Sequence, residues 1–212
     1  MKEFWSTTYC GRIVPAVKIE NLSDAVPIAE SLYTGGIEVM EVTFRTDVAA
    51  QAIAAISKSV PDIIVGAGTI LSIEQLNRAI DNGARFIVSP GVNPTIVKAA
   101  LDKHCAVIPG VATPTEIEVA LSFDLKVVKF FPSELLGGVR MINALAGPYN
   151  CIKFMPSGGI NEGNMCEYLS NVNVFAVSGS WLTPQKLIQS RDYKGITTLA
   201  IETVRAVKQQ VK

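Results

Sequence analysis

Histidine is almost missing from the sequence: His104 is the only one in 212 residues. Cysteine is scarce too, with Cys10, Cys105, Cys151 and Cys166 scattered and no CxxC pair among them. Neither a metal site nor a disulfide framework is expected, and the chain reads as a reduced protein. An excess of one charge is also lacking. Nineteen Lys and Arg balance nineteen Asp and Glu without a basic block, which argues against nucleic acid or an anionic membrane as partner. No apolar run approaches a membrane span, and Met1-Lys2-Glu3-Phe4 lacks the apolar stretch of a signal peptide. A cytoplasmic location is the expectation. No linker, low-complexity tract or composition shift divides the chain, so residues 1–212 are read as a single domain. Any anion it binds must be held by local geometry.

What the chain does have is a regular alternation. Short β-branched runs fall at 13–18, 39–44, 63–67, 86–89, 106–109, 127–130, 151–155 and 174–178, separated by helix-sized intervals. That spacing is the βα pattern of a parallel sheet, and eight units in a chain of this length suit a (β/α)8 TIM barrel. A doubly wound open sheet is the alternative. Helix starts are signalled by Thr113-Pro114-Thr115-Glu116, by Ser72-Ile73-Glu74-Gln75 and by Asn93-Pro94, ahead of amphipathic stretches at 73–82 and 93–103. Pro15 fits its strand poorly, because proline removes a ladder donor; the strand is either irregular there or starts later.

In a barrel, chemistry collects at the carboxyl ends of the strands. Those ends carry Lys18, Glu41 to Arg45, Gly66 to Thr69, Ser89-Pro90-Gly91, Pro109-Gly110, Lys129 to Pro132, Ser157-Gly158-Gly159 and Ser178-Gly179-Ser180. Lys129 stands out, the one polar residue in the run Val127-Val128-Lys129-Phe130-Phe131-Pro132. Burial disfavours an ammonium, and a neutral amine is what attacks a carbonyl. The plainer alternative is a strand-end lysine that snorkels to water. Lys18 and Lys153, also near strand ends, are competing nucleophiles. In the second strand, Glu41, Thr43 and Arg45 share the face opposite Met40, Val42 and Phe44. Glu41 suits an acid–base group and Arg45 a carboxylate clamp, unless the two form only a structural ion pair. The Gly-rich turns at 157–159 and 178–180 suit a phosphate held by backbone N–H groups, although turns use glycine in any case.

Taken together, Glu41-Val42-Thr43-Phe44-Arg45-Thr46, Gly66-Ala67-Gly68-Thr69, Ser89-Pro90-Gly91, Lys129-Phe130-Phe131-Pro132, Gly137-Gly138, Pro156-Ser157-Gly158-Gly159-Ile160 and Gly179-Ser180-Trp181 resemble one family. It is the bifunctional 2-keto-3-deoxy-6-phosphogluconate (KDPG) and 4-hydroxy-2-oxoglutarate (KHG) aldolases, with the motifs in family order from about Ile13 onward. The resemblance implies a (β/α)8 barrel, usually a homotrimer, and a class I lyase needing no metal or organic cofactor. It implies Lys129 as Schiff-base nucleophile and Glu41 as proton carrier. The pyruvate unit of a small 2-keto acid would meet Arg45, Thr69, Phe131 and Pro90, and the phosphate would meet Ser157, Gly158, Gly159, Gly179 and Ser180. Ser178 stands where many relatives have glycine, Ser157 where many have threonine. A sugar-phosphate isomerase or epimerase using Glu41 as base is the rival enzyme, and a barrel that has lost catalysis the rival without chemistry.

Overall fold

Strand side chains alternate from face to face, and here the alternation sorts two apolar cores. The structure, a computed structural model, describes residues 12–210; Cys10 and the opening Met1-Lys2-Glu3-Phe4 lie outside them. Strands β1 (Ile13–Val17), β2 (Val39–Thr43), β3 (Ile64–Gly68), β4 (Phe86–Val88) and β5 (Ala106–Ile108) are followed by β6 (Gly110–Val111), β7 (Val127–Phe130), β8 (Lys153–Pro156) and β9 (Val177–Gly179). All pairings recorded between them are parallel, in the orders β5-β4-β3-β2-β1-β9 and β6-β7-β8. The chain is therefore an α/β fold with parallel strands and helices between them.

One face of the strands, with Met40, Val42, Val65, Ala67, Val128, Phe130 and Phe154, packs into the large core against the helices. The opposite face supplies a smaller core in which Val14, Val39, Phe86, Val88 and Ile108 from the first sheet meet Met155 from the second. The sheets thus share an interior. They also touch along both seams. On one side, parallel bridges join Phe154 to Val174 and Ser157 to Ser178. On the other, β5 and β6 are separated only by Pro109, whose carbonyl accepts from Lys129 N at 2.8 Å. The strand expected at 106–109 stops at Ile108, and a further short strand, β6, follows Pro109, which supplies no ladder N–H.

Pro15 does not break β1. The strand does start at Ile13, but its register with β9 covers Ile13 to Pro15 and its register with β2 only Ala16 and Val17. The irregularity is a change of partner at the proline. The last strand is shorter than the run at 174–178, since Val174 makes only an isolated bridge.

Helix starts follow their sequence signals. Thr113 caps Pro114–Ser122 with a full capping box, its side chain accepting from Glu116 N while Glu116 takes the Thr113 N–H at 2.8 Å. Asn93 caps Pro94–Asp102, accepting from Thr95 N and Ile96 N. Ser72 caps Ile73–Asp81 but the box is displaced: the Gln75 side chain accepts from Leu71 N at 2.8 Å, one residue before the cap. These short joints leave the carboxyl ends of the strands free to build a cavity.

Candidate active site

The inward face of β2 carries the first chemical group. Glu41 is 1% exposed and Thr43 is buried beside it, whereas Arg45, two residues on, is exposed. Thr43 Oγ1 donates to the Val17 carbonyl at 3.1 Å and accepts from Arg45 Nε at 3.1 Å, so the hydroxyl tethers the guanidinium. Among the described residues no ion pair joins Glu41 to Arg45. Glu41 Oε2 is buried without a hydrogen-bond partner. A buried carboxylate oxygen left so is costly, and its place in a cavity makes it available to a ligand or a water. The space it occupies comes from Gly68 on β3: a Cβ there would fall 1.7 Å from Glu41 Oε1.

Lys129 projects from β7, in register between Gly110 of β6 and Met155 of β8. It is only 7% exposed, and its Nζ lies 5.1 Å from the centre of the Phe131 ring. The amine is therefore inside the fold rather than snorkelling out of it. Gly110 matters to its surroundings, since a Cβ there would meet the Pro90 carbonyl at 2.0 Å; the bare position lets the Ser89-Pro90-Gly91 turn close in. The competing lysines lie elsewhere. Lys18 pairs with Glu20 at 2.6 Å, and Lys153 is exposed with its Nζ donating to the Val172 carbonyl at 2.8 Å.

The glycine turn after β8 is built for close approach. Gly158 and Gly159 have φ of 90° and 87°, a region that favours glycine. The Gly159 carbonyl is drawn outward by two amides, Asn161 Nδ2 at 3.1 Å and Asn164 Nδ2 at 3.0 Å. Among the described residues no acceptor is recorded for the N–H of Gly159 or of Ser180. Gly179 sits under the Trp181 ring, which a Cβ would meet at 2.5 Å. Thr69, after β3, holds φ of 59°. A β-branched residue in that region is strained, and such strain gathers at functional sites.

The strand ends and the glycine turns open on one cavity of about 320 Å³. It brings together Glu41, Lys129, Arg45, Thr69, Pro90 and Phe131 with the turn residues Ser157, Gly158, Gly159, Gly179 and Ser180. Those are the residues to which the family resemblance gives a role; the competing Lys18 and Lys153 do not line the cavity. Ser178 lies below it, fully buried with an unpartnered hydroxyl. The sequence reading missed Ala16, Thr43 and Ile160 as lining residues. Thr43 was on the right face; Ala16 and Ile160 are apolar and carry no chemical signal. Among the described residues no three His, Cys, Asp or Glu gather in metal-binding geometry, and no helix is long and apolar enough to cross a membrane. An amine, a carboxylate, a guanidinium and bare N–H groups in one cavity can add an amine to a ketone, move a proton beside it and hold two anionic ends apart.

Comparison with known proteins bears on which of these the site does. A family model for KDPG and KHG aldolase matches residues 6–199. The chain is 50% identical over 196 residues to a 2-dehydro-3-deoxy-phosphogluconate aldolase of Treponema pallidum (strain Nichols), covering 92% of this chain and 93% of that protein. It is 43% identical over 198 residues to a KHG/KDPG aldolase of Escherichia coli (strain K12), covering 93% of each. The fold resembles a crystal structure of KDPG aldolase from Legionella pneumophila with pyruvate captured at low pH as a covalent carbinolamine. The TM-score is 0.90 and the identity 37%, over 94% of this chain and 97% of that one.

Proposed function

The chain belongs to the KDPG and KHG aldolase family, and from that premise we propose that it is a class I aldolase acting through Lys129. The substrates are 2-keto-3-deoxy-6-phosphogluconate, cleaved to pyruvate and glyceraldehyde 3-phosphate, and 4-hydroxy-2-oxoglutarate, cleaved to pyruvate and glyoxylate. The observation that carries the reading is the pairing in one cavity of a buried lysine with a buried carboxylate whose Oε2 has no partner.

The neutral amine of Lys129 adds to the C2 ketone, forming a carbinolamine that loses water to give an iminium. Glu41, directly or through a water, takes the C4 hydroxyl proton as the C3–C4 bond breaks. The electron pair of that bond moves into the iminium, leaving an enamine and releasing the aldehyde. Protonation at C3 and hydrolysis then free pyruvate and restore the amine. Arg45, steadied by Thr43, holds the carboxylate of the keto acid, with Thr69 and Pro90 beside it and Phe131 packed against the pyruvate unit. Ser157, Gly158, Gly159, Gly179 and Ser180 receive the phosphate, largely through backbone N–H groups, which suits a protein of zero net charge.

The wider setting completes the reading. The shared interior and the contacts along both seams support closure of the two sheets into one (β/α)8 barrel, a single domain with the site at its carboxyl end. A homotrimer in the cytoplasm, without metal or organic cofactor, is what the family resemblance supports.

The direct test is pyruvate release from each substrate by the purified protein, followed with lactate dehydrogenase and NADH. Both substrates should yield pyruvate; isomerised sugar phosphate without cleavage would favour the isomerase. A Ser180→Ala variant should weaken the phosphorylated substrate by roughly 1–2 kcal/mol, the scale of one lost hydrogen bond, and leave KM for 4-hydroxy-2-oxoglutarate nearly unchanged. Equal losses for both would place Ser180 away from the phosphate.

A further inference from the structure

The segment after the lysine strand is fastened to the glycine turn, and one contact in that fastening has no role in the chemistry just described. Ser133 N donates to the Ser157 carbonyl at 2.8 Å and Glu134 N to the Gly158 carbonyl at 3.1 Å. The Glu134 side chain then runs along Gly159, where a Cβ would fall 2.4 Å from its Cγ. Its carboxylate accepts a hydrogen bond from the phenol of Tyr168. The phenol oxygen also lies 3.0 Å from Ser133 Oγ. Tyr168 is 1% exposed and Ser133 fully buried, whereas Glu134 is exposed. Gly138, at φ of 57°, leaves the room: a Cβ there would fall 2.8 Å from the Tyr168 hydroxyl and 3.2 Å from Glu134 Oε1.

An exposed glutamate ordinarily keeps its carboxylate in water. This one is bent back onto a buried phenol, at the edge of a turn read as the seat of a phosphate. Like charges a few ångströms apart repel, and more strongly where protein displaces water. A free carboxylate at Gly159 would oppose a phosphate at the same turn. Burial, with the Glu134 hydrogen bond adding to it, pushes the Tyr168 hydroxyl up to about 12, so it remains an O–H donor throughout the neutral range.

We propose that Tyr168 is a specificity-determining positioning residue: by holding the Glu134 carboxylate it keeps that charge off the Gly158-Gly159 turn and so sets the turn's affinity for a phosphate group. The inference rests on reading that turn as the phosphate site.

The test is calorimetric titration of inorganic phosphate into the native protein and into Tyr168→Phe, Glu134→Gln and the double variant, near pH 7.5. In Tyr168→Phe the carboxylate is released and Kd should rise about 10-fold, the worth of a charge-assisted hydrogen bond redirected against the ligand. Removing the charge as well should restore Kd to within about 3-fold of native, because coupled residues are not additive. Glu134→Gln alone should bind phosphate at least as tightly as the native protein. An unchanged Kd in Tyr168→Phe, or a double variant as weak as that single one, would overturn the inference and leave Tyr168 a packing residue. If Tyr168→Phe does not fold, Glu134→Gln decides by itself, and weaker binding overturns the inference. A native protein that binds no phosphate removes the phosphate turn along with it. Capture of pyruvate on Lys129 judges the aldolase reading separately.

Discussion

A Lys129→Met variant is expected to release no pyruvate above background from either substrate, a loss of at least about 10⁴-fold, as for removal of a covalent nucleophile. Without the amine there is no iminium to accept the electrons of the C3–C4 bond, and no other group in the cavity can take that part. The same variant should leave the methyl protons of pyruvate unexchanged in heavy water, since exchange needs the enamine. Folding should survive the change. Met is close to Lys in length and flexible, and it would lie on the face that already holds Met155 and Phe131. Circular dichroism and thermal unfolding against the native protein check this. Substantial residual cleavage would point back to Lys18 or Lys153, although one is paired with Glu20 and the other faces solvent.

Glu41→Gln should separate proton transfer from covalent capture. The side chain keeps its size, which matters in a space left by Gly68, but it cannot exchange a proton. Methyl-proton exchange of pyruvate should fall by about 10²–10⁴-fold, the usual worth of a general acid–base group. The variant should still form a reducible pyruvate adduct, though more slowly, because proton transfers also assist imine formation. Exchange at the native rate would mean that Glu41 is structural and that the base lies elsewhere. The unpartnered Oε2 speaks against a structural purpose: an oxygen that only stabilised the fold would be hydrogen-bonded.

Much of this site was legible because strands have a two-residue period. Glu41 and Thr43 could be placed on the inward face from the apolar residues between them, and Lys129 from its valine and phenylalanine neighbours. Glycines after strands marked the turns. What was not legible depends on contacts between distant segments. Nothing in the sequence shows that Gly68 exists to seat Glu41, or that Gly110 lets Pro90 approach. The Glu134–Tyr168 contact spans 34 residues and involves neither a motif nor a periodicity. Local backbone details slipped for a similar reason. Pro15 looked like a defect in its strand, and only the pairing partners show that it marks a change of neighbour; that the chain resumes pairing in a further short strand after Pro109 was not foreseen. Gln75 promised an ordinary capping box, but its side chain reaches Leu71 N instead of the cap residue.

The most direct measurement of the central claim is borohydride reduction in the presence of pyruvate, followed by proteolysis and mass mapping of the modified peptide. A single stable adduct on Lys129 is the result expected. An adduct confined to Lys18 or Lys153, or no adduct in a protein that still cleaves the substrate, would contradict it.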